Sequence, residues 1–169
     1  MFIAIVRHTP IWVWGLLAML IALGLWQTRD REMSPARVTT LPLVMLALSL
    51  SGVLNAFAHS TVAVAGWAVG LAAALALGRK LVAVRGAAWS QQAGRLYVPG
   101  SWLPLVLIVG LFSIKYLVGA SLALHPALAT DTAFTGSVGL AYGAFSGLFL
   151  TRGLSLRHLA KHPGRALAA

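Results

Sequence analysis

Residues 101–124 read SWLPLVLIVGLFSIKYLVGASLAL, and apart from three serines, one tyrosine and one lysine the stretch is apolar. A helix of this length reaches across the roughly 30 Å hydrocarbon core of a bilayer. Lys115 sits near its middle, with no acidic residue within fifteen positions on either side. A soluble helix would place such a lysine on a polar face, and here there is none, so the segment is expected to cross a membrane. The lysine then becomes a functional question, since a charged amine pointing at lipid costs on the order of 3 kcal/mol.

The rest of the chain agrees. Of 169 residues 59% are hydrophobic and only 9% charged, more apolar surface than a soluble domain of this size could bury. Besides 101–124, four runs of about 18–24 residues qualify as spans, over about 10–27, 40–58, 61–84 and 133–154. Inside lipid a single span must be helical, because no water is present to satisfy free backbone groups. The sequence therefore predicts an all-α, polytopic bundle of five transmembrane helices forming one transmembrane domain over 1–169, with a loop at 85–100 and a basic tail at 155–169.

Thr9 and Pro10 read as a cap followed by a first helical proline, and Ser34-Pro35 repeats that signal before the second run. Trp12, Trp14 and Trp26 flank the first run as interfacial aromatics do. The opening MFIAIVRHTP lacks a compact basic region, and no small-x-small cleavage site follows the apolar run, so the first helix is expected to be retained.

The net charge is +10. Its distribution excludes nucleic acid as a partner, because the basic residues lie between apolar runs and form no aromatic-laced patch. Eleven of them gather on alternate links: Arg29, Arg31 and Arg37; Arg79, Lys80, Arg85 and Arg95; Arg152, Arg157, Lys161 and Arg165. The opposite side has Arg7 alone. The positive-inside rule then puts the N-terminus outside and the C-terminus inside the bacterial inner membrane. RGAAWSQQAGRLYVPGS at 85–101 reads as a plain interfacial loop anchored by Trp89 and Tyr97, in preference to a small amphipathic hairpin.

Gly66, Gly70, Ala74 and Gly78 recur every fourth residue in the third run, and Gly139, Gly143 and Gly147 do so in the fifth, one turn after Gly136. Small residues at this spacing let helix backbones approach closely in lipid, so these stripes are expected to be packing seams.

Candidate site residues are few. Around Lys115 the polar company is Tyr116, Tyr142 and Ser146, and Ser49, Ser51 and Asn55; Gly119 shares its helix face and would let a neighbouring carbonyl come near. An anionic ligand could meet Lys115, Tyr116, Tyr142 and Asn55. His8, His59 and His125 fall at the outer rim near Asp131, a ligand set for a transition metal or haem if the helices converge. His158 and His162 stand four apart among Arg157, Lys161 and Arg165, a pattern suited to anionic lipid headgroups. Cysteine is absent and acids number three, which removes thiolate chemistry and nearly excludes carboxylate acid–base catalysis.

The stretches HTPIWVWGLLAMLIALGLWQTRDREMSPARVTTLPLVMLALSLSGV and LYVPGSWLPLVLIVGLFSIKY together resemble a family of small bacterial inner-membrane proteins of unknown function, over nearly the whole chain. Pro10, Trp12, Arg37, Pro42, Gly100, Trp102 and Lys115 are the matching positions. More distantly the chain is similar to the CcdC-like membrane proteins, named for proximity to cytochrome c maturation, which share the arginine-link-then-proline layout. The resemblance implies a multi-helix membrane protein and supplies no catalytic residue. The expected role is that of a non-enzymatic accessory protein, with a membrane protein partner or a homodimer. The alternatives are a small transporter or anionic-ligand-binding protein using Lys115, and haem or metal handling through the outer histidines.

Overall fold

The computed structural model describes residues 10–57, 60–82, 86–90 and 95–161. Among them are five α-helices: α1 (Ile11–Trp26), α2 (Pro35–Ala56), α3 (Thr61–Leu81), α4 (Leu103–Leu124) and α5 (Thr132–Lys161). Stretches of α2 (Val38–Ala56), α3 (Thr61–Gly78), α4 (Leu103–Leu124) and α5 (Thr132–Leu159) are long and apolar enough to cross a membrane, while α1 is apolar but shorter, at 16 residues. The helices expose large apolar side chains outwards, including Leu77, Val106 and Leu48. Such a surface suits acyl chains and would aggregate in water.

Three boundaries differ from the sequence expectation. Pro10 stands just before α1 and not at its first helical position; Thr9 lies outside the described residues. The second helix starts at Pro35, a turn earlier than expected, with Ser34 at the cap position. The fifth runs seven residues beyond Leu154, because Leu156 and Leu159 continue its buried stripe with Arg157 and His158 exposed between them.

The all-α reading needs one correction, and so does the plain loop at 85–100. Three short strands, β1 (Arg31–Met33), β2 (Ala88–Ser90) and β3 (Arg95–Val98), form an antiparallel sheet in the order β1-β3-β2. Arg31 pairs with Val98 and Met33 with Leu96; Ala88 pairs with Tyr97 and Ser90 with Arg95. An isolated hairpin would be marginal, and the third strand from the arginine link, together with a covered face, makes it stable. Alternation turns Leu96 and Val98 inwards, where they form a core with Val38, Leu156 and Leu159. The extended end of α5 is thus the lid of the sheet.

The two glycine stripes face each other, and α3 against α5 is the largest helix contact of the bundle. A side chain built on Gly66 or Gly70 would overlap the carbonyl oxygens of Gly136 and Leu140 on α5. One built on Gly139 or Gly143 would overlap those of Ala63 and Trp67 on α3. Each backbone occupies the space the other lacks. α2 lies across this pair, while α1 packs mainly on α4, which keeps few contacts with α5 through Gly110 and Phe145.

Several hydroxyls within the helices are satisfied by helix carbonyls, as suits a lipid surrounding. Ser113, Ser146, Thr151 and Ser155 each donate to the carbonyl four residues back. Thr151 also reaches the Ala74 carbonyl of α3, at 3.3 Å. Ser49 of α2 donates to the Tyr142 carbonyl of α5 at 3.2 Å and accepts from the Trp67 indole of α3 at 3.1 Å, joining three helices at one buried atom.

Candidate functional site

Lys115 is the thirteenth residue of α4 and its nearer helix end lies about 14 Å away along the axis, beyond the reach of a lysine side chain. The residue is exposed. The tip of its side chain lies over a notch in α2: a methyl built on Gly52 would stand 3.4 Å from Lys115 Cε and 3.5 Å from Nζ. The same methyl would stand 3.4 Å from Tyr142 Cε1, so the ammonium and the edge of a buried ring from α5 converge at Gly52. The close approach expected at Gly119 is absent, since nothing lies within 4 Å of a side chain built there. α4 stands too far from its neighbours on that face.

Of the other expected ligand residues, Tyr116 stacks on Phe112 at 6.4 Å, on the adjoining face of α4. Asn55 is exposed on α2, one turn from Gly52. Asp131 does not fold inwards towards Lys115. It caps α5, its Oδ1 accepting the Phe134 N–H at 2.6 Å, a favourable place for a negative charge at a helix N-terminus.

The outer-rim histidines are only partly placed. His125 terminates α4 and is exposed, and His8 and His59 lie outside the described residues. Among the described residues no three His, Asp or Glu side chains come together as a metal site would require.

A second cluster lies at the sheet end of the bundle. Arg31 leaves β1 on the face of Met33, opposite Glu32, and its Nη2 donates to Gln27 Oε1 at 3.1 Å. Its Nε is buried with no hydrogen-bond partner among the described residues. Burial holds this guanidinium below the ordinary arginine range. Arg152 of α5 is only 8% exposed, in an apolar stretch, and close enough to Arg31 for the two charges to repel. Both line a cleft with about 40 Å³ of interior space, shared with Gln27, Met33, Pro42, Pro104, Phe149 and Leu156. That is several times the room of about 10–15 Å³ that one water needs.

Two neighbouring acids point elsewhere. Asp30 accepts the Gly100 N–H at 2.7 Å and the Tyr97 hydroxyl at 2.6 Å. These bonds, the backbone one first, hold its carboxyl below the usual range and push the Tyr97 phenol up. Gly100 is required there, since any side chain would overlap the Thr28 carbonyl. Glu32, on the outer face of β1, leans towards Arg95 at 3.8 Å.

Sequence reasoning treats Arg31 and Arg152 as topology signals and misses the cleft. A signal existed for one of them: Arg152 lies inside the predicted fifth span, two residues before its end, where an unmatched charge calls for a partner.

Comparison with known proteins places these features in a family. The profile described as "Family of unknown function (DUF6622)" matches residues 1–168. The chain is also similar to "Uncharacterized protein PM0739" of Pasteurella multocida (strain Pm70), 39% identical over 72 residues, covering 43% of this chain. It spans about half of that relative's length, 56%. No solved structure matches. Neither similarity bears on the likeness to CcdC-like proteins.

Proposed function

The chain belongs to the DUF6622 family of unknown function, and from its residues we propose a non-catalytic protein of the bacterial inner membrane that works by associating with a partner transmembrane helix. It crosses five times, N-terminus outside, and the partner helix presents a carboxylate at mid-depth to Lys115. The single observation behind this reading is an exposed ammonium midway along an apolar helix, in a chain whose three acids are all engaged away from it, Asp131 at the start of α5 and Asp30 and Glu32 at the sheet. A second copy of the chain could not neutralise it, for the same reason. An acidic partner would, meeting an ammonium whose tip rests at Gly52 beside the Tyr142 ring.

The partner reading is tested by co-reconstituting the protein in phosphatidylcholine vesicles with a leucine-based transmembrane peptide carrying one central Glu, Gln or Leu. Energy transfer reports association. The Glu peptide should bind at least tenfold more tightly than the Gln peptide, and Lys115→Met should remove the difference while leaving the thermal unfolding midpoint unchanged. Equal binding of the three peptides to the wild type would overturn the reading.

Topology is tested separately, and the lack of native cysteine makes single-cysteine labelling clean. In intact spheroplasts Ala127→Cys, in the exposed turn after α4, should react with an impermeant maleimide. Ala88→Cys, on the sheet, should react only after permeabilisation. Labelling of both from one side means a different number of crossings between them.

A further inference from the structure

Arg31 and Arg152 come from opposite ends of the sequence to share one cleft, and no acid among the described residues neutralises them. The sequence has three acids and each is engaged elsewhere. Asp30 holds Tyr97 and Gly100, Glu32 faces Arg95 on the other side of β1, and Asp131 caps α5 at the far end of the bundle. Pro42 lacks an N–H, so the Val38 carbonyl one turn earlier has no helical donor. That carbonyl borders Gly153, beside Arg152. A single carbonyl dipole softens part of one charge and leaves most of two. Two repelling guanidiniums, one of them with a buried and unpartnered Nε, are an unfavourable arrangement unless a third body completes it.

That body must be anionic and small at its charged end, to fit the cleft. One carboxylate offers two oxygens, which a single guanidinium fork already satisfies. A phosphate offers more oxygens and can be shared between two forks. The remainder of the lining is mostly apolar, including Pro42, Pro104, Phe149 and Leu156, and would accept hydrocarbon attached to the charged group. The geometry points to a phosphate-binding site between Arg31 and Arg152, filled by the phosphate of an anionic phospholipid or of a small phosphate compound from the side where the basic links gather.

The site stands apart from Lys115, and its test is independent of the partner reading. Full-length protein in an uncharged maltoside detergent is unfolded thermally with added inorganic phosphate, with short-chain phosphatidylglycerol, with short-chain phosphatidylcholine, or with chloride at matched ionic strength. Phosphatidylglycerol or phosphate should raise the midpoint of the wild type saturably, by about 5 °C or more at a hundredfold excess over Kd. A response to phosphatidylglycerol alone identifies a lipid site; a response to inorganic phosphate as well identifies a free-anion site. Both outcomes support the proposal.

Arg152→Met and Arg31→Gln should each raise the half-saturating concentration about tenfold or more. The exposed Arg157→Met, which removes the same charge from the same end, should not. Sign is diagnostic too: without added anion Arg152→Met should unfold no earlier than wild type, because an unpaired buried charge has been removed, and with anion it should unfold earlier. If Arg152→Met does not fold, Arg31→Gln against Arg157→Met decides. No shift with either phosphate compound, or equal shifts in all three variants and wild type, would overturn the site.

Discussion

Gly143→Leu is expected to destabilise the bundle by more than about 3 kcal/mol, at or beyond the upper end for overpacked cores, whereas Gly119→Leu should change stability by no more than about 0.5 kcal/mol. Both glycines lie within apolar helices and differ in what surrounds them. A side chain at Gly143 overlaps the Trp67 carbonyl and comes within 2.9 Å of the Leu71 amide nitrogen; at Gly119 nothing lies within 4 Å. Overlap with a flexible side chain could be relieved by a rotamer change. Overlap with backbone cannot, so α3 and α5 must separate along the seam that provides the largest contact in the molecule. In lipid no hydrophobic gain compensates for that separation, because exposed leucine and acyl chain are equivalent surroundings. Equilibrium unfolding in mixed micelles titrated with sodium dodecyl sulfate measures both variants. Similar midpoints for the two would mean that the glycine seam does not hold the bundle together.

The same contrast explains what could be read from the chain beforehand. Gly66, Gly70, Gly139, Gly143 and Gly147 announce themselves because helix packing in membranes repeats every four residues, and the seam they predict is present. The apolar runs announce α2 to α5, since length and composition alone decide them. The sheet is different. Arg31, Glu32 and Met33 look like a charged link, and their pairing with Val98, Tyr97 and Leu96 bridges more than sixty residues that local pattern cannot connect.

Arg152 was hidden for a related reason. The basic residues on the links have a ready explanation in topology, so the one mark Arg152 leaves, its place inside the predicted fifth span, is easily passed over. Its environment is assembled by non-local events: Pro42 seated on Gly153, β1 turning Arg31 inwards, and the α5 extension that supports the sheet. Lys115 could be recognised because its run has no competing explanation for a cation, yet the notch that receives it, Gly52, lies on another helix without any motif.

Ser49→Ala should cost about 1–2 kcal/mol, a large effect for one hydroxyl among membrane helices, where interhelical hydrogen bonds average nearer 0.6 kcal/mol. The reason is its position at a junction. Ser49 Oγ accepts the Trp67 Nε1–H and donates to the Tyr142 carbonyl, and the serine is 2% exposed. Removing it takes the acceptor from the indole and one donor from the carbonyl, whose other donor, Ser146, remains at 2.8 Å. Trp67→Phe removes only the indole and leaves the bond from Ser49 to Tyr142 intact, so it should cost less through this network. The double variant should therefore be more stable than the sum of the two losses predicts, with a coupling of about 1 kcal/mol in the range seen for residues sharing one hydrogen-bond network. Strict additivity, within about 0.3 kcal/mol, would show that Ser49 and Trp67 are neighbours without a shared bond. The three-helix junction would then rest on backbone packing, the glycine seam between α3 and α5 and the contact of α2 with α5, and not on a shared hydroxyl.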